Sequence, residues 1–152
     1  MPDFFDTESN FLGIVEKELF QYQSSNVVIQ SAPYEYTSSY LSGSHKGPEA
    51  IIDASHYVEF YDEELEQETY KKIGISTVLP MNFVGKTDRT AIDYIKNESS
   101  KLINDGKFVV SLGAEHTVSL GFFEAQFEKD RNIGILQIDA HSDLRQSYNN
   151  NP

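Results

Sequence analysis

Cysteine is absent from the 152-residue sequence, and basic residues are scarce. Without cysteine, the chain has no disulfide, no thiolate metal site and no cysteine nucleophile, so oxygen and imidazole groups are the metal ligands that remain. Lys and Arg number 12 against 24 Asp and Glu, which gives a net charge of -12. Such a charge repels phosphate backbones and anionic membranes but attracts small cations. We therefore expect no nucleic acid and no membrane among the partners.

Long apolar runs are also missing. No stretch approaches the roughly 20 apolar residues that a membrane-spanning helix needs. The acidic N-terminal segment MPDFFDTESN lacks the basic region and apolar run of a signal peptide. We find no internal repeat, low-complexity run or long linker that would mark a domain boundary. The sequence therefore predicts one domain of a soluble cytoplasmic protein.

Strand-like and helix-like patterns alternate along the chain. The β-branched run at 26–34 predicts a strand, and the segment 47–58, which carries a proline in its first turn, predicts a helix. From 57 to 78 an alternating and charged pattern favours a solvent-facing hairpin over a buried strand. An apolar stripe predicts a helix over 88–106, ended by Gly106 as a left-handed cap.

Residues 107–140 predict a βαβ unit, with a strand at 107–113, a helix at 118–130 and a second strand at 132–140. Both strands are apolar on both faces, which is typical of internal parallel strands joined by a right-handed crossover. The predicted fold class is therefore α/β.

Potential metal ligands follow both strands of this unit. The segment GAEH ends at His116, and the segment DAHSD contains Asp139, His141 and Asp143. Open parallel sheets bind ligands at the carboxyl ends of their strands, so we expect the two clusters to lie together. Asp139 and His141 share one face because side chains alternate along a strand. Asp143 can reach the same site only if the chain curls near Ser142.

The ligand types indicate a chemistry. One imidazole per ion with carboxylates and no sulfur suits manganese, with zinc, cobalt or iron as competitors. The spread of the ligands suits two ions bridged by Asp139. Two ions that share a water lower its pKa and deliver hydroxide to an electrophilic carbon, which predicts metal-assisted hydrolysis. A solvated polar loop would also show D-x-H-x-D, but the preceding GAEH favours the metal site.

We interpret the other polar residues without assigning them to the metal site. Glu115 is either a surface carboxylate or a group that orients His116, and we favour the orienting role. We interpret two further histidines as ordinary surface or helix residues and two basic residues as solvated charges: His45 and His56, and Lys46 and Arg145.

The segments LGAEHTVSLG and QIDAHSDLR resemble the first two metal-binding motifs of the ureohydrolase family, which includes the arginases and agmatinases. SYLSGSHKGPEAIIDAS resembles the family's N-terminal segment, and YDEEL with IGISTV resembles the agmatinase branch. The resemblance spans residues 26–146. It implies a three-layer α/β/α fold with a mostly parallel sheet. It also implies hydrolysis of a small cationic guanidino compound to urea and an amine at a dinuclear manganese centre.

Carried over by motif, the resemblance implies a role for each ligand. His116 would be the imidazole ligand of one Mn²⁺ ion and His141 that of the other. Asp139 would bridge the two ions, and Asp143 would be a second carboxylate on the ion held by His116. Ala114 departs from the family's second glycine without removing a ligand.

The family's third motif, SxDxDxxDP, is absent, as are a histidine and a glutamate that contact substrate. We therefore interpret residues 1–152 as the truncated or partial N-terminal part of a single ureohydrolase domain, and expect this chain to be inactive. Agmatine, hydrolysed to putrescine and urea, is the favoured substrate, and arginase, guanidinobutyrase and formiminoglutamase activities stay open. A full-length form would be a homo-oligomer. The alternative function is a non-catalytic fragment that binds a subunit.

Overall fold

The computed structural model describes residues 1–38, 40–143 and 146–147. None of the helices within these residues is both long enough and apolar enough to cross a membrane. In chain order the helices and strands are α1 (Lys17–Phe20), β1 (Val27–Ala32), α2 (Gly47–Ser55), α3 (Tyr70–Ile73), β2 (Ile75–Thr77), α4 (Asp88–Asn104), β3 (Phe108–Gly113) and α5 (Val118–Lys129).

The three strands of the described chain form one parallel sheet with β1 in the centre. Val27 of β1 is in register with Ile75 of β2 on one side and with Phe108 of β3 on the other. Residues 28–32 of β1 are all buried, because neighbouring strands satisfy their backbone and helices cover both faces. The predicted α/β class and the parallel sheet are confirmed.

Alternate side chains of β1 face two different helical layers. Ala32 packs in one cluster with Ile95 of α4 and Val118 of α5. Ile29 points to the opposite face, where it packs with Tyr70 of α3 and with residues of the N-terminal segment. Burial of each large aliphatic side chain contributes about 1.5–3 kcal/mol to folding. The result is the three-layer α/β/α arrangement.

The helix α4 follows its sequence pattern closely. Its first turn is closed by the N–H of Thr87, which donates to Oγ1 of Thr90 over 3.0 Å. The apolar stripe is buried against the sheet, and Gly106 has a φ of +78°, as a left-handed cap requires. Both the helix and its predicted end are confirmed.

Residues 57–78 match the predicted solvent-facing hairpin only in part. Side chains 57–66 are exposed, and Asp62 forms an isolated antiparallel bridge with Gln67. Ile75–Thr77, however, is the fully buried strand β2, so the prediction was wrong there. Three residues are too few to show a periodicity, and their burial depends on pairing with β1.

The predicted second strand of the βαβ unit, 132–140, is not formed, and this prediction was wrong. Within the described chain no backbone ladder joins this segment to the sheet, and Ile135, Leu136 and Ile138 are 58%, 87% and 93% exposed. An apolar run becomes a strand only where a neighbouring strand pairs with its N–H and C=O groups. β3 is correspondingly an edge strand, half-buried rather than internal.

Candidate metal centre

His116 lies in the short loop between β3 and α5. The helix α5 begins directly after this loop, because the Glu115 carbonyl accepts a hydrogen bond from the Val118 N–H. Gly113 permits this tight turn, since a Cβ there would lie 2.4 Å from Cγ2 of Val118. Ala114 does not have a positive φ, so a side chain is tolerated at that position.

Three of the four predicted ligands meet in space. Nδ1 of His116 lies 2.6 Å from Oδ2 of Asp143 and 3.6 Å from Oδ2 of Asp139. One ligand atom from each residue lies within 4.8 Å of the other two. Atoms this close can contact one ion together, because metal–ligand bonds are about 2.0–2.6 Å long. The side chains of His116, Asp143 and Asp139 are 45%, 49% and 31% exposed, so the cluster opens to solvent.

His141 lies beside this cluster without joining it. Its Nδ1 atom is 3.9 Å from Oδ1 of Asp139, and its side chain is 81% exposed. Asp139 therefore faces His141 with one carboxylate oxygen and His116 with the other.

The backbone of the second motif shapes the cluster. Asp143 has a φ of +51°, and the curl expected near Ser142 returns its side chain to His116. The N–H of His141 donates to Oδ1 of Asp139 over 2.9 Å. This hydrogen bond is the main reason that the pKa of Asp139 is lowered. The hydrogen bond further stabilises the ionised form of the carboxylate, which is the form that binds a cation.

Glu115 does not contact His116, contrary to its predicted orienting role. Its carboxylate accepts hydrogen bonds from the N–H groups of Tyr36 and Thr37 at 3.0 and 2.9 Å, and from Oγ1 of Thr37 at 2.6 Å. Glu115 thus joins the loop after β1 to the loop that carries His116. Sequence reasoning missed this contact because the partners are 78 or 79 positions apart and share no motif.

A second carboxylate organises the same loop after β1. Glu35, whose side chain is 7% exposed, accepts a hydrogen bond from the N–H of Gly43 and contacts Nδ1 of His45 at 2.5 Å. The His45 hydrogen bond lowers the pKa of Glu35 to about 2. No pattern in the sequence pointed to this pair.

The remaining polar residues lie away from the metal cluster. The ring of His56 contacts the carbonyl oxygen of Asn10 at 2.8 Å, and Lys46 is exposed. Arg145 lies outside the described residues.

Comparison with known sequences identifies relatives of this chain. Residues 25–152 match the sequence profile of the arginase family. The N(1)-aminopropylagmatine ureohydrolase of Synechocystis sp. is 37% identical over 132 residues, which cover 84% of this chain and 43% of that protein. The agmatinase of Bacillus anthracis is 38% identical over 135 residues, which cover 86% of this chain and 45% of that protein.

Solved structures show the same relationship. The agmatine ureohydrolase of Thermoplasma volcanium aligns with a TM-score of 0.68 and 25% identity, over 90% of this chain and 45% of that chain. A Clostridium difficile structure aligns with a TM-score of 0.78 and 26% identity, over 86% and 47%. The chain thus spans slightly less than half the length of the relatives that it matches.

Proposed function

Because the chain belongs to the arginase family, we propose that it is the N-terminal part of a hydrolase that cleaves a small guanidino compound to urea and an amine. The observation that carries the proposal is the convergence of His116, Asp139 and Asp143 within 4.8 Å. Relatives named agmatinase and N(1)-aminopropylagmatine ureohydrolase make agmatine or an alkylated agmatine the first substrates to test.

The donor set fits Mn²⁺. Imidazole and carboxylate groups without sulfur suit this ion, and the three clustered side chains would hold one such ion. His141 would hold a second ion, and Asp139, which faces both histidines, would bridge the two. When bound, the metal pair supplies a Lewis acid and lowers the pKa of water at the site.

The chain's own groups prepare the site for a cationic substrate. The net charge of -12 raises the local concentration of a guanidinium compound. The His141 N–H stabilises the ionised form of Asp139, and Glu115 holds Tyr36 and Thr37 next to the loop of His116. Tyr36 and Thr37 would therefore line the approach to the metal cluster.

The test is a chimera in which the chain is continued by the C-terminal part of the Bacillus anthracis agmatinase. We expect it to release urea and putrescine from agmatine when Mn²⁺ is supplied. Asp139→Asn should abolish this activity, whereas Asp3→Asn, which removes a charge outside the cluster, should preserve it. A folded chimera that binds Mn²⁺ but releases no urea from agmatine, arginine or 4-guanidinobutyrate would refute the proposed function.

One observation favours a second candidate for the 152-residue chain taken alone. β3 has a free edge within the described chain, and Phe108 at the start of this strand is 69% exposed. Free edges with apolar side chains pair readily with other chains. The alternative is therefore a non-catalytic fragment that binds a subunit. Light scattering should then show a complex with a full-length family member, and a strictly monomeric chain that ignores this partner argues against it.

A further inference from the structure

A cavity of about 420 Å³ lies between the N-terminal segment, α2 and the end of β1. This volume falls within the roughly 300–1,000 Å³ of small-molecule sites. None of the residues that line the cavity belongs to the metal cluster. The cavity is therefore separate from the proposed hydrolase site.

Three carboxylates border the cavity. Glu49 and Asp53 lie one turn apart on α2, and Glu8 comes from the N-terminal segment. Among the described residues none of the three forms an ion pair. Side chains four apart on a helix are neighbours, so Glu49 and Asp53 concentrate negative charge on one wall. The wall is suited to a cation.

The floor of the cavity provides an independent observation. Ser31 lines the cavity and is 2% exposed, and its hydroxyl has no hydrogen-bond partner among the described residues. Its neighbours Gln30 and Ala32 face α4, where Gln30 donates to Ser99. Alternation along the strand turns Ser31 to the opposite face, toward the cavity. Buried hydroxyls are normally paired, and a polar ligand group in the cavity would complete the hydrogen bonding of Ser31.

The rest of the lining determines what kind of cation fits. Ile52, Pro33 and Pro48 present apolar surface, which suits methylene groups and does not suit a hydrated metal ion. The His45 ring, which also lines the cavity, is fixed by Glu35, so this wall is already ordered. Apolar walls beneath a carboxylate rim match a chain of methylenes that ends in ammonium groups.

We propose that this cavity binds a small aliphatic polyamine, with one ammonium group between Glu49 and Asp53, another donating to Ser31, and methylenes against Ile52. The interaction combines charge attraction at the rim with apolar contact below it. Both contributions come from residues outside the metal centre.

Titration calorimetry of the 152-residue chain with spermidine, at physiological ionic strength, tests the proposal. We expect one spermidine per chain. The double variant Glu49→Gln/Asp53→Asn should bind spermidine at least about tenfold more weakly. The control Glu63→Gln/Glu64→Gln removes the same charge from the exposed turn at 57–66. It should change affinity less than about twofold, because neither residue lines the cavity and charges at a distance are screened by salt.

Two further variants distinguish the cavity from the metal cluster as the place where spermidine binds. Ser31→Val replaces the hydroxyl at the floor with methyl groups without changing charge, and should also weaken spermidine binding. Thermal unfolding verifies that this variant folds. Asp139→Asn should leave spermidine binding unchanged, whereas a loss there would move the amine to the metal cluster. Equal losses in both charge variants, displacement of spermidine by Mg²⁺ at similar affinity, or no saturable binding would each overturn the proposal.

Discussion

Nδ1 of His116 lies 2.6 Å from Oδ2 of Asp143, although the two residues are 27 positions apart in the chain. The whole of α5 and the exposed segment 134–138 lie between the two in sequence. Asp139 approaches the same imidazole at 3.6 Å, while His141 lies outside this group. These distances predict that His116, Asp139 and Asp143 contribute more to binding the first ion than His141 does.

Alanine substitutions should follow this ranking in Mn²⁺ binding to the 152-residue chain. His116→Ala and Asp139→Ala should each weaken binding at least about tenfold, whereas His141→Ala should have a much smaller effect. Calorimetry or Mn²⁺ electron paramagnetic resonance measures the affinities, with Asp3→Ala as a control. If His141→Ala is as damaging as Asp139→Ala, the first ion sits elsewhere. In a complete enzyme, Asp139→Ala should remove both ions if Asp139 bridges them as we propose.

The 152-residue chain alone should release no detectable urea from agmatine, even with Mn²⁺ in excess. Its cluster is open to water, and the carboxylates expected from the family's third motif are not in the sequence. Affinity should drop and the reacting water should not be held in place. A colorimetric urea assay beside the Bacillus anthracis agmatinase measures this. Turnover comparable to that enzyme would show that the four ligands suffice.

Glu115→Ala should loosen the loop after β1 without removing the metal. The substitution deletes the acceptor for the Tyr36 and Thr37 amides, so their hydrogen exchange should accelerate by at least about tenfold. Mn²⁺ affinity should change by less than about threefold, because Glu115 does not contact His116. Thr37→Val, which removes only the hydroxyl bond, should have an intermediate effect on exchange. A metal loss as large as that of His116→Ala would restore the orienting role.

The Glu35–His45 contact makes a pH-dependent contribution to stability. The pKa of Glu35 falls from an ordinary 4.5 to about 2, chiefly through the hydrogen bond from His45. The contribution is therefore complete above pH 4.5 and is lost as pH falls toward 2. Wild type should unfold at a higher temperature than Glu35→Gln near neutral pH, and the difference should shrink across that window. Glu64→Gln, an exposed control, should show no such trend.

Gly121 and Gly47 should respond oppositely to alanine. A Cβ at Gly121 would lie 2.7 Å from Cβ of Ile95, so α5 and α4 would have to move apart. Such overpacking costs about 1–3 kcal/mol. Gly47 begins α2 with helical dihedrals and has no atom within 4 Å of its would-be Cβ, so alanine should stabilise by about 0.4–1 kcal/mol. Urea unfolding measures both, and a neutral Gly121→Ala would contradict the close helix packing.

The sequence by itself determined the features that depend on neighbouring residues. The apolar residues of α4 recur at helical spacing, and Gly106 follows directly as the cap. β1 is a short β-branched run. The helix and the strand were therefore both predicted with nearly correct bounds. The metal-ligand residues of the two motifs could also be recognised from the sequence, because D-x-H-x-D and GAEH are short and follow strand-like or apolar segments. Their family resemblance is confirmed by the match over residues 25–152.

Only the tertiary structure decided the features that depend on distant partners. β2 is buried because it pairs with β1, and 132–140 stays exposed because the described chain offers it no neighbouring strand. Glu115 turned out to bind Thr37 instead of His116, since a carboxylate takes whichever donors the fold brings to it. Hydrogen bonds and burial act through space, and local patterns of residues two to four apart carry no information about them.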